Sequence, residues 1–158
     1  MRLRLLTESQ GPCRIIRYNP DASDEDDDGY FGYLDQAADI ADESGIRIDR
    51  NKDLAFLAVT SDGGTVIGAV WHSLTQSDDG MVYSFDIAVA ERFRAGGYAG
   101  IKLISAAVAE YREIASDMPA QIGLYVINPR LASVLEKRFG FTVDAEYEHG
   151  AVSMSFYG

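Results

Sequence analysis

The sequence predicts a mixed α+β domain built around one sheet, and three observations support this fold class. The predicted elements follow the order strand, helix, three strands, helix, strand, helix and two strands. A chain of 158 residues has the length of one domain with a single core. Its composition, 47% hydrophobic and 25% charged residues, is typical of a globular protein. Since neither an internal repeat nor a Pro- or Ser-rich linker interrupts it, we expect residues 1–158 to form a single domain.

The first half of the chain predicts one helix between two groups of strands. The run "MRLRLL" alternates as a strand does, and "CRIIRY" is either its continuation or a second strand. After the acidic loop "NPDASDEDDDG", apolar residues recur at helical spacing over residues 30–44, and Gly45 is a plausible stop. Residues 54–60 and 65–75 flank the turn "SDGG", which is a strong hairpin signal. The turn "QSDDG" then leads into a third strand at residues 81–89.

The second half predicts two helices, a strand between them and a closing hairpin. A helix from about residue 97 to residue 116 has an apolar residue every third or fourth position. The mostly apolar run at residues 121–127 predicts a strand that is buried on both faces. Asn128 can cap the next helix, and Gly140 lies where a C-terminal cap belongs. The segments "FTVDAEYE" and "AVSMSFY" on either side of "HG" predict an antiparallel hairpin.

Charge and composition narrow the class of partner. The chain has 14 Lys and Arg against 25 Asp and Glu, a formal charge of −11. Such a surface repels nucleic-acid phosphates and attracts cationic partners, although solubility or adaptation to salt explains the same charge. No run of about 18 apolar residues is present to span a membrane, and no long apolar segment follows the basic start. Because Cys13 is the only cysteine, an internal disulfide and a Cys-rich zinc site are excluded, and we expect a cytoplasmic protein without a metal.

The segment "RFRAGGYAG" at residues 92–100 follows a predicted strand and opens a predicted helix. A helix N-terminus has unpaired N–H groups and the positive end of the helix dipole, and glycine lets the backbone approach an anion closely. Arg92, Arg94 and Lys102 reverse the sign of the charge locally in an acidic chain. The glycine spacing matches neither a Walker A loop nor G-x-G-x-x-G. From these residues alone, a phosphate cradle and an ordinary turn remain equal alternatives.

Residues around this turn resemble the acyl-CoA motif of the GNAT superfamily of N-acetyltransferases, which reads Gln/Arg-x-x-Gly-x-Gly/Ala between a strand and a helix. The matching residues are Val89, Arg94, Gly97, Ala99 and Leu103. The segment "NPRLASVLEKRFGF" at residues 128–141 is similar to the second signature of that family, and Gly68 lies where the family often has a glycine on its third strand. The order of elements agrees over nearly the whole chain. The resemblance implies an acyl-CoA-binding domain with a splayed, mixed, mostly antiparallel sheet and about four helices.

The resemblance also implies acetyl-CoA as the co-substrate, bound in a V-shaped cleft. The backbone of Ile87, Ala88 and Val89 would pair with the pantetheine arm, and Asn128 would lie near the thioester. The pyrophosphate would be held by the N–H groups of Arg94, Ala95, Gly96, Gly97, Tyr98 and Ala99. The acceptor would be an amine of a small molecule, a lysine or a protein N-terminus, cationic acceptors included, and it would attack the thioester directly. The resemblance leaves room for a homodimer.

The catalytic residues are less clearly marked than the cofactor site. An ammonium acceptor must lose a proton before it attacks, and Asp86 is the first candidate for the base; alternatively, Asp86 only accepts structural hydrogen bonds. Tyr83 is a candidate on the same strand, although aromatic residues on strands more often pack. Many family members carry a tyrosine as the general acid, but Glu136 stands at that position here. Ser133, a nearby tyrosine or water is left for this role.

Two other functions remain open at this point. The missing tyrosine also fits a catalytically degenerate GNAT domain that binds acyl-CoA or a partner protein without turnover. Asp24, Asp26, Asp28 and Gly29 have the spacing of a calcium loop, which would make the acidic loop at residues 21–29 part of a calcium-responsive interaction module. A solvated acidic loop, or a loop that attracts a cationic acceptor, explains the same residues.

Overall fold

The computed structural model describes residues 13–19, 32–61, 64–94 and 98–157. Its seven strands form one mixed sheet in the order β1-β2-β3-β4-β5-β7-β6. The strands are β1 (Cys13–Arg17), β2 (Asp53–Thr60), β3 (Val66–Ser77), β4 (Gly80–Val89), β5 (Ala120–Val126), β6 (Thr142–Glu146) and β7 (Val152–Phe156). The helices are α1 (Tyr33–Glu43), α2 (Tyr98–Asp117) and α3 (Pro129–Phe139). The predicted strand "MRLRLL", the acidic loop at residues 21–29 and the loop residues 95–97 lie outside the described residues.

The strand pairing confirms the α+β class and the mostly antiparallel sheet. Antiparallel pairing joins β1 to β2, β2 to β3, β5 to β7 and β6 to β7. The two-residue connection Asp78–Asp79 makes β3 and β4 antiparallel as well, because so short a link cannot join parallel strands. The parallel pair is β4 with β5, from Met81 opposite Ala120 to Tyr83 opposite Ile122. A parallel pair needs a long crossover connection, and α2 provides it.

The number of helices differs from the expectation. The described residues contain three α-helices, where the resemblance implied about four. Gly45, with a φ of 72°, follows the end of α1, and residues 46–52 that lead to β2 are irregular. Ile46 and Ile48 alternate with charged residues there, and both pack against the core under α1. An alternation of this kind covers a core with extended chain and does not favour a helix.

The prediction that β5 is buried on both faces is wrong. Ile122, Leu124 and Val126 are at most 7% exposed, whereas Tyr125 between them is 60% exposed. The run appeared continuously apolar because tyrosine combines a large apolar ring with a hydroxyl that tolerates water. One face of β5 is therefore covered and the other is open.

The chain separates into two compact units. The first contains residues 1–72 and 86–108, and the second contains residues 73–85 and 109–158. In the first unit α1 packs its apolar face on β2 and β3, with Ala37 and Leu57 fully buried. Gln36 on α1 accepts a hydrogen bond from the Val66 N–H at 2.9 Å, which fixes the helix over the start of β3. That residues 1–158 act as a single domain stays a prediction.

The core of the second unit is rich in aromatic rings. Phe141 and Phe156 stack with their ring centroids 5.0 Å apart, and Tyr111 meets Phe156 edge-on at 5.8 Å. Tyr111 is 1% exposed, and its hydroxyl donates a hydrogen bond to the Ala120 carbonyl at 2.8 Å. Burial raises the pKa of Tyr111 above its ordinary value of 10.0, while Arg112 lowers that pKa and Tyr157 raises it to smaller extents.

The raised pKa of Tyr111 makes the protein less stable at alkaline pH. Because the folded-state pKa exceeds the unfolded value, the stability that neutral Tyr111 contributes is complete below about pH 10 and is lost as the pH rises through the folded-state pKa. Tyr111→Phe should lower the free energy of unfolding by about 1 kcal/mol at neutral pH and make its decline above about pH 10 shallower. Urea unfolding of both proteins at neutral and alkaline pH measures this difference. Parallel declines would show that another group is responsible.

Candidate cofactor-binding and active site

A network of hydrogen bonds joins the end of α1 to the end of β4 in the first unit. The Arg94 Nε donates to the Val89 carbonyl at 2.8 Å, and its Nη2 donates to Ser44 Oγ at 2.8 Å. The Glu91 N–H donates to the Glu43 carboxylate at 3.1 Å, and the Arg94 N–H donates to the Glu91 carbonyl at 3.2 Å. We call these five residues the Arg94 network. It fixes the course of the chain as it leaves β4 and enters the glycine-containing turn.

Gly68 on β3 lets β4 and α2 both approach β3 closely. A Cβ at this position would lie 2.8 Å from the Ala88 carbonyl oxygen and 2.9 Å from the Leu103 Cδ1. A methyl group cannot be accommodated at such distances unless the backbone of β4 moves. Gly68 lies on the third strand, as the resemblance implied. The missing side chain therefore sets how closely the end of β4 and the first turns of α2 approach β3.

The end of β4 presents backbone groups on the side away from β3. The Ala90 N–H donates to the Ile67 carbonyl on β3 at 2.7 Å. Successive residues of a strand direct their N–H groups to opposite sides, so those of Ile87 and Val89 point away from β3. Both residues are half-buried, and Ala88 between them is 4% exposed. An extended ligand can add to such a strand through main-chain hydrogen bonds.

The start of α2 offers an anion its backbone and its dipole. Tyr98, the first residue of α2, is 48% exposed, and Ala99 is 3% exposed. The three basic residues near the turn already contact protein groups. Arg94 belongs to its network, the Arg92 guanidinium lies 4.9 Å from the Phe93 ring centroid, and Lys102 Nζ donates to the Cys13 carbonyl at 3.1 Å. The first turn of α2 adds to these side chains backbone N–H groups that have no partner within the helix, together with the positive end of the helix dipole.

Asp86 forms an ion pair with Lys52 in the first unit. Lys52 Nζ donates to the Asp86 carboxylate at 3.0 Å, and the two side chains are 11% and 25% exposed, respectively. The pair links β4 to the residue that precedes β2. Sequence reasoning missed Lys52 because the two residues are 34 positions apart and no local pattern connects them. A quarter of the Asp86 side chain remains accessible, so its carboxylate can meet a second partner from solvent.

The remaining predicted residues lie in the second unit. Asn128 caps α3, because its side-chain oxygen accepts from the N–H groups of Arg130 at 2.9 Å and Leu131 at 3.4 Å. Tyr83 is 1% exposed, and its ring lies 6.2 Å from that of Phe85, which is the geometry of core packing. Ser133 is half-buried on α3, and Glu136 on the same helix is exposed. At Gly140 the backbone has a φ of 80°, as predicted for the residue that ends this helix.

No three His, Cys, Asp or Glu side chains in residues 13–19, 32–61, 64–94 and 98–157 are grouped so that they could hold a metal ion. In the same part of the chain, none of the helices is long and apolar enough to cross a membrane.

The topology defines the class of fold. An antiparallel meander leads into one parallel strand pair, the crossover helix begins after a glycine-containing turn, and an antiparallel hairpin closes the sheet. This is the fold of the GNAT acetyltransferases, as the sequence indicated.

Comparison with solved structures supports the same assignment. The chain is 15% identical to an acetyltransferase of the GNAT family from Streptococcus pneumoniae, with a TM-score of 0.59 and coverage of 90% of this chain and 98% of that one. It is 17% identical to NAA60 of Arabidopsis thaliana in complex with acetyl-CoA (TM-score 0.60, coverage 91% and 96%). An aminoglycoside acetyltransferase, meta-AAC0020, from an uncultured soil metagenomic sample is 14% identical (TM-score 0.60, coverage 88% and 94%). No protein-family model and no curated protein matches the sequence, so the likeness is one of fold.

Proposed function

We propose that the protein is an acetyl-CoA-dependent N-acetyltransferase that acts on an amine. The observation that carries this proposal is the junction of β4 with α2, where Gly68 lets both elements lie close to β3 and the Arg94 network holds Glu91 and Arg94, which follow β4. A junction of this kind offers the diphosphate of a nucleotide a helix N-terminus. It also offers the rest of the ligand an adjacent strand whose N–H groups point away from β3. The GNAT fold adds support, since NAA60, which shares it, was solved with acetyl-CoA.

The described residues fit acetyl-CoA as a ligand. The N–H groups of Ile87 and Val89 point away from β3, where the pantetheine arm would pair with them, and Ala88 between them packs in the core. The backbone at the start of α2, Tyr98 and Ala99, would hold the pyrophosphate. The other N–H donors to the pyrophosphate would come from Arg94 and from the loop residues Ala95, Gly96 and Gly97. The side-chain oxygen of Asn128 accepts a hydrogen bond that caps α3, so its amide nitrogen is the group that would contact the pantetheine or thioester.

In the proposed reaction Asp86 accepts the proton that the acceptor ammonium must lose. When bound, acetyl-CoA supplies the acetyl group as a thioester, whose carbonyl carbon the neutral amine attacks while the carbon–sulfur bond breaks. Lys52 donates to one carboxylate oxygen of Asp86, Oδ2, so Oδ1 is the oxygen that would take the proton. Ser133, a tyrosine or water would give a proton to the departing thiolate, and the proton that the newly acylated nitrogen must lose would restore this donor. Tyr83 has no role in this scheme, because a side chain that is 1% exposed packs in the core.

Replacing Arg94 with Gln is expected to weaken acetyl-CoA binding while the chemical step is retained. The change removes the hydrogen bonds to Val89 and Ser44. A hydrogen bond from a charged donor contributes about 1.5–3 kcal/mol, so the KM for acetyl-CoA should rise about tenfold or more. Steady-state kinetics with acetyl-CoA and with S-acetyl-pantetheine, which lacks the pyrophosphate, measure the effect. The KM for acetyl-CoA should rise more than the KM for S-acetyl-pantetheine.

The matched control for this variant is Arg92→Gln. It removes the same charge from the same turn, but the Arg92 guanidinium lies over the Phe93 ring and does not join the network. If the two variants raised the KM for acetyl-CoA equally, local charge and not the network would explain the effect.

Binding of acetyl-CoA is the direct test of the proposal. A ligand present at about 100 times its Kd stabilises the folded state by about 2.7 kcal/mol, which raises the Tm of a domain of this size by several degrees. We expect this shift with acetyl-CoA and a smaller one with S-acetyl-pantetheine. An unchanged Tm at millimolar acetyl-CoA would contradict the proposal.

A further inference from the structure

Two exposed tyrosines meet on the open face of the second unit. Tyr125 on β5 is 60% exposed, and Tyr147, which follows β6, is 50% exposed. Their ring centroids are 5.6 Å apart, and the ring planes are tilted by 58°. We call these two residues the tyrosine pair. Most large rings of this unit are buried, so a contact between two rings that both face solvent is unusual within it.

The strands around the tyrosine pair hold the rings in place. Ser153 on β7 lies opposite Tyr125 in the register of β5 and β7, and its hydroxyl donates to the Tyr147 hydroxyl at 2.9 Å. The Tyr147 N–H donates to the Ala151 carbonyl at 2.8 Å. Between them the chain turns at His149 and Gly150, which have φ values of 68° and 82°, as in tight hairpin turns. The Tyr147 ring is therefore held by a hydrogen bond within the protein, and the Tyr125 ring packs against it.

The charged residues next to Tyr147 in the chain are acidic. Glu146 and Glu148 flank Tyr147 in the chain, and both are exposed. Asp144 on the same strand is also exposed, and its carboxylate accepts a hydrogen bond from Ser155 at 3.0 Å. Asp144 lies on the face of the tyrosine pair, because its partner Ser155 is two residues from Ser153 on β7, so its carboxylate would repel an anion there and attract a cation.

We propose that the tyrosine pair binds an alkylammonium cation. A cation is attracted to the face of an aromatic ring when it lies within about 6 Å of the ring centroid. Because the two centroids are only 5.6 Å apart, one cation on the exposed side of the pair can lie within this distance of both rings. Because Ser153 already holds the Tyr147 ring by a hydrogen bond, this ring loses little conformational entropy when the cation binds.

The binding of this cation does not depend on acetyl transfer. Its further role, as the place where a cationic acceptor holds a charged group other than the amine that reacts, rests on the proposed function. A probe that cannot be acetylated separates the two.

The test uses tetramethylammonium chloride as the probe and tert-butanol, a neutral molecule of similar size and shape, as its control. Tyrosine ring signals are followed by NMR during each titration, with sodium chloride at equal ionic strength as the reference. We expect saturable shifts with tetramethylammonium and none with tert-butanol. Tyr147→Leu and Tyr125→Leu should each weaken binding about fivefold or more, since each removes one ring face.

Two variants control for indirect effects. Tyr157→Leu removes a tyrosine of the same unit that is 73% exposed and outside the pair, and it should leave the affinity unchanged. Tyr147→Phe keeps the ring face and loses the bond to Ser153, so it should bind more tightly than Tyr147→Leu. Equal shifts with tert-butanol, or wild-type affinity in Tyr147→Leu and Tyr125→Leu, would overturn the proposal. Acetyl transfer in a protein that fails this titration would leave the proposed function standing.

Discussion

Replacing Asp86 with Asn is expected to lower the kcat of acetyl transfer about 100-fold or more and to change the KM for acetyl-CoA little. A positioned general base contributes about 10²- to 10⁴-fold to a rate, and an amide cannot take the proton that the acceptor ammonium must lose. Asp86 lies on β4, is ion-paired to Lys52 at 3.0 Å and keeps a quarter of its side chain exposed. Steady-state kinetics with a saturating amine measure the effect, and a loss confined to kcat distinguishes chemistry from cofactor binding.

Lys52→Met is the matched control for Asp86→Asn. It breaks the same ion pair but keeps the carboxylate. Both variants should lose a similar amount of stability, about 1 kcal/mol for a partly exposed pair, as measured by urea unfolding. Only Asp86→Asn should lose most of its kcat. If both variants lost kcat to the same degree, Asp86 would be a structural residue and the base would have to be sought elsewhere.

Replacing Gly68 with Ala is expected to destabilise the protein by about 2 kcal/mol, which lowers the Tm by about 5 °C. The added Cβ would lie 2.8 Å from the Ala88 carbonyl oxygen and 2.9 Å from Leu103 Cδ1, so β4 and α2 must move away from β3. Because this movement displaces Ala88 and its neighbours, the KM for acetyl-CoA should rise as well. Thermal unfolding and steady-state kinetics measure the two effects.

Gly100→Ala tests whether a methyl group as such has this effect. A Cβ on Gly100 would have Val89 Cγ2 as its nearest neighbour at 3.8 Å, an ordinary van der Waals contact. Since alanine favours a helix by up to about 1 kcal/mol over glycine, this variant should be as stable as the wild type or more so. A Gly68→Ala protein with wild-type stability would show that β4 and α2 are not held at the distance described.

Much of the fold is encoded in local signals, which is why the sequence predicts it. Asn128 and Gly140 mark both ends of α3, and each has the predicted conformation and cap. The helix expected at residues 97–116 is found at Tyr98–Asp117, because its apolar residues recur with helical period over five turns. The open face of β5 was missed because Tyr125 counts as apolar although its hydroxyl tolerates water. Local patterns therefore predict elements better than they predict which faces are covered.

The candidate site depends on contacts that no local pattern records. Arg94 donates to Ser44, 50 positions earlier, and Asp86 is bound by Lys52, 34 positions earlier. The sequence indicates Arg94 as a cation close to a phosphate-binding turn. A guanidinium donates equally well to a phosphate or to a carbonyl and a hydroxyl, so the sequence alone does not show which of these it contacts. Only the folded chain shows that Val89 and Ser44 take up its donors. The element order and the turn were predictable, whereas the partners of its charged side chains were not.

Release of free coenzyme A thiol from acetyl-CoA tests the central claim most directly. Wild-type protein is mixed with acetyl-CoA and one amine at a time, drawn from polyamines, amino sugars, amino acids and peptides with free N-termini, and the acetylated product is identified by mass spectrometry. The account predicts thiol release that requires both protein and amine, equals the acetylated amine formed, and is largely lost in Asp86→Asn. Binding of acetyl-CoA with no amine-dependent thiol release on any of these classes would contradict it.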